Sequence, residues 1–370
     1  MDFENGSDLR QQIRDYDTCF AEFLKPGGNG QKIMQAILLR EAFHRFAEDG
    51  IAIRKDAPTA ILDVSCGPGD YSVAWTSQIA GFLPRGMIFY CTDYPGGVAR
   101  DTGERYTTIM ARKIAAAAQS GQVLLARPPV TVDADLFAGC DPLMPPGETA
   151  DIIHWSHSGY HVRDALGTRK DDQRAIASGI DIAIDKMWAA LNSNGLMFSV
   201  HQTRDLSDGI PSQMLPVSHP YCGTLDDVPQ RIEARVSQLG GYAAAVNFAS
   251  PLKFRGMSEP SWEALKRPEE WDRLDAAQAR ALKLLSFIAY DFSNPAKAAL
   301  EILAEKGRLG AYVDEFKSIV AQNDGHIIVK CAFQMLSKSQ AVAERLDGIA
   351  RRLRSNTTDY RAEMIAAMTG

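Results

Sequence analysis

The chain is poor in the features that most often announce a function. Its six cysteines, Cys19, Cys66, Cys91, Cys140, Cys222 and Cys331, lie far apart and form no CxxC pair. A zinc ribbon, an iron–sulfur cluster or a thioredoxin-type centre therefore has no ligand pattern to build on. Reduced, mostly buried thiols are the expectation. Basic charge is also short: 40 Lys and Arg face 46 Asp and Glu, a formal net charge of −6. Nucleic-acid binders carry a basic excess or stripe, and the local run Arg345 to Arg354 reads as the solvated face of a helix. No apolar run reaches the ~20 residues that span a bilayer. The start, MDFENGSDLRQQ, lacks the basic-then-apolar order of a signal peptide. These absences point to a cytoplasmic protein with no nucleic-acid partner and no membrane partner. Oligomeric state stays open.

What is present is ordinary globular material, 45% hydrophobic and 23% charged over 370 residues, enough to bury a sizeable core. Residues 1–50 carry helical spacing interrupted at Pro26 to Gly30, and read as an N-terminal helical cap. Strand and helix patterns then alternate: 61–65 with 70–80, 87–92 with 97–119, 129–133, 151–155 with 172–191, 195–201 with 226–239, and 244–249. Such alternation predicts βαβ units. The expected fold is α/β, a doubly wound, mostly parallel seven-stranded Rossmann-like sheet. Residues 51–255 would form its core and 256–325 a helical insertion on the substrate side. Residues 326–337 would close the sheet, and 338–370 read as a polar helical tail.

Ligands of such sheets bind beyond the carboxyl ends of the strands, which draws attention to Ile61-Leu-Asp-Val-Ser-Cys-Gly-Pro-Gly-Asp70. A P-loop is excluded, since no Lys-Ser or Lys-Thr follows the glycines. A dinucleotide fingerprint needs a third glycine where Ser72 stands, and Asp70 would set a negative charge where a pyrophosphate wants a positive one. S-adenosylmethionine suits the turn better. It has no phosphate, so close backbone approach at Ser65, Gly67 and Gly69 suffices. Its ammonium and sulfonium welcome carboxylates. Asp63, ending the first strand, would serve the ammonium, and Asp93, ending the second, would accept both ribose hydroxyls. Asp133, Ala134 and Asp135 after the third strand would meet the adenine, and Ser156 after the fourth would lie where cofactor and substrate meet.

These motifs resemble those of class I S-adenosylmethionine-dependent methyltransferases. A finer similarity, to histamine N-methyltransferase-like small-molecule methyltransferases, covers most of residues 14–337. It is carried by Tyr16 to Gln35, by Asp151 to Asp164, and by Phe287, Asp291 and Phe292 before the closing strand. The resemblance implies methyl transfer to a nitrogen or oxygen of a small molecule, with Tyr16, Phe20, Phe23, Asn29, His157, Tyr160 and His201 on the substrate side. Asn29 stands where that family keeps a glutamate, and His157 where it keeps an amide. Lys330 or Cys331 replaces an asparagine. Fold and chemistry would carry over; the acceptor would not.

Methyl transfer needs positioning, and a base if the acceptor arrives protonated. His157 is the candidate base or orienter, and His161 could join it as a catalytic group. His154 lies inside the strand and reads as structural. A metal held by these histidines is disfavoured, because residues three apart on a strand point to opposite faces; no metal is expected. Two alternatives remain: an NAD(P)-dependent oxidoreductase resting on the same glycines, and a non-catalytic binding module that keeps the cofactor fold.

Overall fold

The computed structural model describes residues 9–24, 30–49, 51, 53–99, 102–162, 173–203, 228–254, 257–289, 296–323 and 325–369. Among them, seven strands form one sheet: β1 (Thr59–Val64), β2 (Met87–Asp93), β3 (Val130–Asp133), β4 (Ala150–Ser156), β5 (Leu191–Gln202), β6 (Tyr242–Lys253) and β7 (His326–Ser337). Their order is β3-β2-β1-β4-β5-β7-β6. The pairings from β3 through β5 are parallel. β7 runs antiparallel to both neighbours and lies between β5 and β6. The sheet is thus mixed, and its last strand in sequence is inserted one place in from the edge rather than closing it.

Central strands covered on both faces should be apolar throughout, and β1 is buried at every position. Side chains alternate between two cores. Ile61, Phe89, Cys91, Ile152, Phe198 and Val200 join one; Leu62, Val64, Tyr90, Ile153, Trp155 and Met197 join the other. Asp63 and His154 share the register of Ile61 and Ile152, so both face the first side.

The helices are α1 (Leu9–Arg14), α2 (Tyr16–Leu24), α3 (Gly30–Asp49), α4 (Asp70–Ile79) after β1, and α5 (Tyr106–Gln119) after β2. α6 (Gln173–Ala190) precedes β5 and α7 (Val228–Gln238) precedes β6. Between β6 and β7 stand α8 (Glu259–Leu265), α9 (Ala276–Ala289), α10 (Ala299–Glu305) and α11 (Leu309–Gln322); α12 (Gln340–Ser355) and α13 (Thr357–Thr369) follow β7. The helical pattern expected over 97–119 begins only at Tyr106. Before it the chain turns back on itself through a Val98–Arg105 bridge.

The first fifty residues divide by packing. α3 lies on the sheet, where Phe43 and Phe46 meet Phe198 with ring centroids 5.4 and 5.7 Å apart. α1 and α2 instead dock on the helices before β7. Phe23 stacks on Phe287 at 4.7 Å, Ser286 donates to the Ile13 carbonyl at 2.7 Å, and Arg14 pairs through two bonds with Glu301. The C-terminal segment is amphipathic rather than polar: Leu346, Ile349 and Leu353 of α12 and Met364 of α13 are buried against the first core. No helix among the described residues is long and apolar enough to cross a membrane.

Candidate functional site: a strand-end cleft around Asp63 and Asp93

The parallel strands β1, β2 and β4 deliver their carboxyl ends to one edge, and the turn Ser65 to Gly69 crosses it. This turn leaves the ordinary backbone regions repeatedly, with φ of +55° at Ser65, +54° at Gly67 and +82° at Gly69. A Cβ on Gly69 would lie 2.2 Å from Met110 Sδ, so that glycine serves helix packing. A Cβ on Gly67 would meet nothing within 4 Å; this glycine opens space in front of the turn. Asp93 fixes the turn to β2. Its Oδ2 accepts the Gly67 N–H at 2.7 Å, and its Oδ1 accepts the Tyr94 N–H at 2.8 Å. Burial pushes the Asp93 carboxyl above its usual range, against the two backbone N–H groups and the His161 ring.

Asp63 is 2% exposed and anchors a polar chain that the sequence did not reveal. Its Oδ1 lies 2.8 Å from His154 Nδ1. On the far side of that ring, the Gln35 amide nitrogen is 3.2 Å from Nε2 and donates to Ser156 Oγ at 2.7 Å. With Gln35 donating to Nε2, the proton sits on Nδ1 and points at Asp63. The second carboxylate oxygen of Asp63 has no hydrogen-bond partner, although it is buried. A buried carboxylate oxygen left bare is costly unless a ligand completes it. His154 is therefore a positioning group for Asp63, held also by the Trp75 ring at 4.7 Å.

His157 follows β4 with φ +51°; among the described residues, only it and Ser65 combine a side chain with positive φ. Both sit where a strand meets the cleft, and strain of this kind, about 1–3 kcal/mol each, concentrates at functional sites. Burial, then the charge of Lys32, holds the His157 imidazole well below its ordinary pKa. His201 lies on the opposite face of the sheet. Its ring meets Trp155 edge-on at 4.4 Å, and its Nδ1 is 3.0 Å from Ser199 Oγ. The His157 and His201 rings are 6.3 Å apart.

The remaining sequence candidates scatter. Asp133 is paired with Arg105 and accepts from Thr107 at 2.9 Å. Ala134 is buried beside Asp93, donating its N–H to the Asp93 carbonyl. One Asp135 oxygen caps the N–H groups of Phe137 and Ala138. His161 lies on a short turn (Gly159–His161), and its charge acts on the Asp93 carboxyl. Phe20 and Phe23 pack on Phe287 within the α2–α9 contact. Asp151 lies at the start of β4, where it binds the Ala60 N–H, Arg54 and Asn192, far from the carboxyl edge. Asn29, Asp164, Asp291 and Phe292 lie outside the described residues, as do the side chains of Tyr16 and Tyr160. Among the described residues, no group of three His, Cys, Asp or Glu side chains is arranged to hold a metal ion.

No family model and no curated protein matches the chain. Solved structures similar to it include the plantazolicin methyltransferase BpumL with S-adenosylhomocysteine, at 10% identity and TM-score 0.39, covering 90% of this chain and 95% of that one. A SAM-dependent methyltransferase from Thiobacillus denitrificans, also with S-adenosylhomocysteine, is similar at 16% identity and TM-score 0.36, covering 79% and 90%. The [4+2]-cyclase SpnF is similar at 11% and 0.35, covering 80% and 81%. Likeness of this degree assigns neither an activity nor a substrate to this chain.

Proposed function

We propose that the cleft binds S-adenosylmethionine and that the protein transfers its methyl group to a nitrogen or oxygen of a small molecule. The observation that carries this reading is the bare, buried Oδ2 of Asp63, set beside a glycine turn that opens onto empty space at Gly67. A cationic donor group completes Asp63, as the ammonium of the methionine moiety would. Asp93 already spends one lone pair of each oxygen on a backbone N–H, and the remaining lone pairs suit two ribose hydroxyls. When bound, the cofactor supplies an electrophilic methyl group on a sulfonium. The chain supplies position: Asp63, held by His154 and Gln35, fixes one end, and Asp93 fixes the other. His157, neutral and strained at the end of β4, orients the acceptor.

A nicotinamide dinucleotide fits less well. Asp70 opens α4, where the pyrophosphate would sit, and Ser72 is buried at the place of the third glycine. Calorimetric titration with S-adenosylhomocysteine, with NAD alongside, tests the reading. Binding is expected for the wild type, and Asp93→Ala should weaken it by about 1.5–3 kcal/mol, the worth of a charge-assisted hydrogen bond. Unchanged affinity in Asp93→Ala, or heat from NAD alone, would sink it.

A further inference from the structure

Lys32 stands apart from the other basic residues of this fold. It projects from the first turn of α3, and the Tyr71 ring of α4 lies 4.3 Å from its ammonium. Among the described residues it makes no hydrogen bond and no ion pair, whereas many of the arginines and lysines pair with a carboxylate, as Arg14, Arg54, Arg231 and Arg235 do. Its charge is felt on several sides of the cleft. Asp63 of β1 and Cys331 of β7 act on it, and it acts in turn on His157 after β4 and His201 of β5. In the order β1-β4-β5-β7 these are neighbouring strands, so the ammonium hangs over the carboxyl edge of β1, β4 and β5, beside Asp63. An unpaired ammonium in such surroundings is costly, and burial lowers Lys32 from its ordinary value to about 8.

We propose that Lys32 is a carboxylate-binding residue of the cleft, receiving a carboxylate carried either by the methionine end of S-adenosylmethionine or by the methyl acceptor. Charge supports an anion there. Asp63, Asp93 and Lys32 together carry one net negative charge when ionised. The cofactor brings an ammonium, a sulfonium and a carboxylate, one net positive charge, so the filled cleft is balanced in net charge. On the cofactor the carboxylate and ammonium share one carbon, as Lys32 and Asp63 share one corner of the cleft. Both named sources rest on the methyl-transfer reading, whereas a carboxylate-binding role for the Lys32 ammonium does not.

Three probes separate the sources on the full-length protein: S-adenosylhomocysteine, 5′-methylthioadenosine, which lacks the amino-acid end, and benzoate titrated with and without S-adenosylhomocysteine. If the cofactor brings the anion, Lys32→Met should weaken S-adenosylhomocysteine by at least about tenfold. It should leave 5′-methylthioadenosine within about twofold, and Lys32→Arg should recover much of the loss. If the acceptor brings it, Lys32→Met should spare S-adenosylhomocysteine and lower benzoate affinity by at least about tenfold. Equal losses for S-adenosylhomocysteine and 5′-methylthioadenosine with benzoate unmoved would mark Lys32 as structural and overturn the proposal. So would a variant that changes none of the three. Failure of the wild type to bind S-adenosylhomocysteine is a different result: it refutes methyl transfer, and the benzoate arm alone then decides the role of Lys32.

Discussion

Each buried histidine of this protein answers to a particular neighbour, and their chemistry separates accordingly. His201 is 4% exposed, and burial, followed by the charges of Lys32 and His154, pushes its imidazole down to about 3. A histidine of ordinary pKa near 6.5 in the unfolded chain takes up a proton that the folded chain refuses. Stability is therefore fully present above about pH 6.5 and falls as the pH drops toward 3, by up to about 1.4 kcal/mol per pH unit for this group. His157, also lowered by burial, adds a loss of the same sign. Urea unfolding at pH 7, 6 and 5 should show the decline, and His201→Asn should reduce its slope by about one proton. An unaltered slope in that variant would mean that His201 is already solvated. At this scale the sequence was readable where one residue sits at one strand end: Asp63 lies at the end of β1, Asp93 ends β2, and the glycine turn lies between them. It was unreadable where a role depends on a partner distant in the chain. His154 takes its meaning from Asp63, 91 residues away, and from Gln35, 119 residues away. No local pattern announces either contact. Asp133 and Asp135 show the reverse, since their carboxylates were visible but the arginine, threonine and backbone N–H groups that occupy them were not.

Among the elements, the turn between β1 and α4 concentrates two separate demands on glycine, and substitution should part them. At Gly69 an added Cβ strikes Met110 and the φ of +82° is unfavourable, so Gly69→Ala should destabilise the fold by displacing α5 from α4. At Gly67 the backbone strain, about 1–2 kcal/mol, comes without any clash, because nothing lies within 4 Å. Gly67→Ala should therefore stay folded, with a modest loss of urea stability, and lose affinity for S-adenosylhomocysteine out of proportion to that loss. Equal binding by Gly67→Ala and wild type would show that the cofactor does not approach this turn. Element identity was legible from period and apolar runs, which is why β1, β2, β4 and α6 fall within two residues of their expected bounds. Order was less legible. An apolar strand such as β7 carries no mark of its direction, and only its pairing with both β5 and β6 shows it to be antiparallel and internal. The C-terminal helices were mistaken for a polar tail because six of the sixteen residues of α12 are charged. Its Leu346, Ile349 and Leu353 form the narrow buried stripe that a surface helix needs.

The site belongs to the whole molecule, since no single unit contains it. Asp63 comes from β1, Asp93 from β2, His154 and Ser156 from β4, and Gln35 and Lys32 from a helix that precedes every strand in sequence and packs on β5. A ligand that touches residues brought together from such separate places binds the native assembly and has no counterpart in the unfolded chain. Its binding energy must then appear as global stability, about 2.7 kcal/mol at a concentration one hundred times its dissociation constant. Chemical unfolding with saturating S-adenosylhomocysteine should move the midpoint upward by that amount with the denaturant slope unchanged. The Asp93→Ala protein should show little of the shift at the same concentration, and NAD should produce none. A shift of the same size from NAD would return the dinucleotide reading to the glycine turn. A shift that survives in Asp93→Ala would mean that the ligand stabilises the fold from another place, and the pairing of Asp63 with Asp93 across the cleft would lose its function.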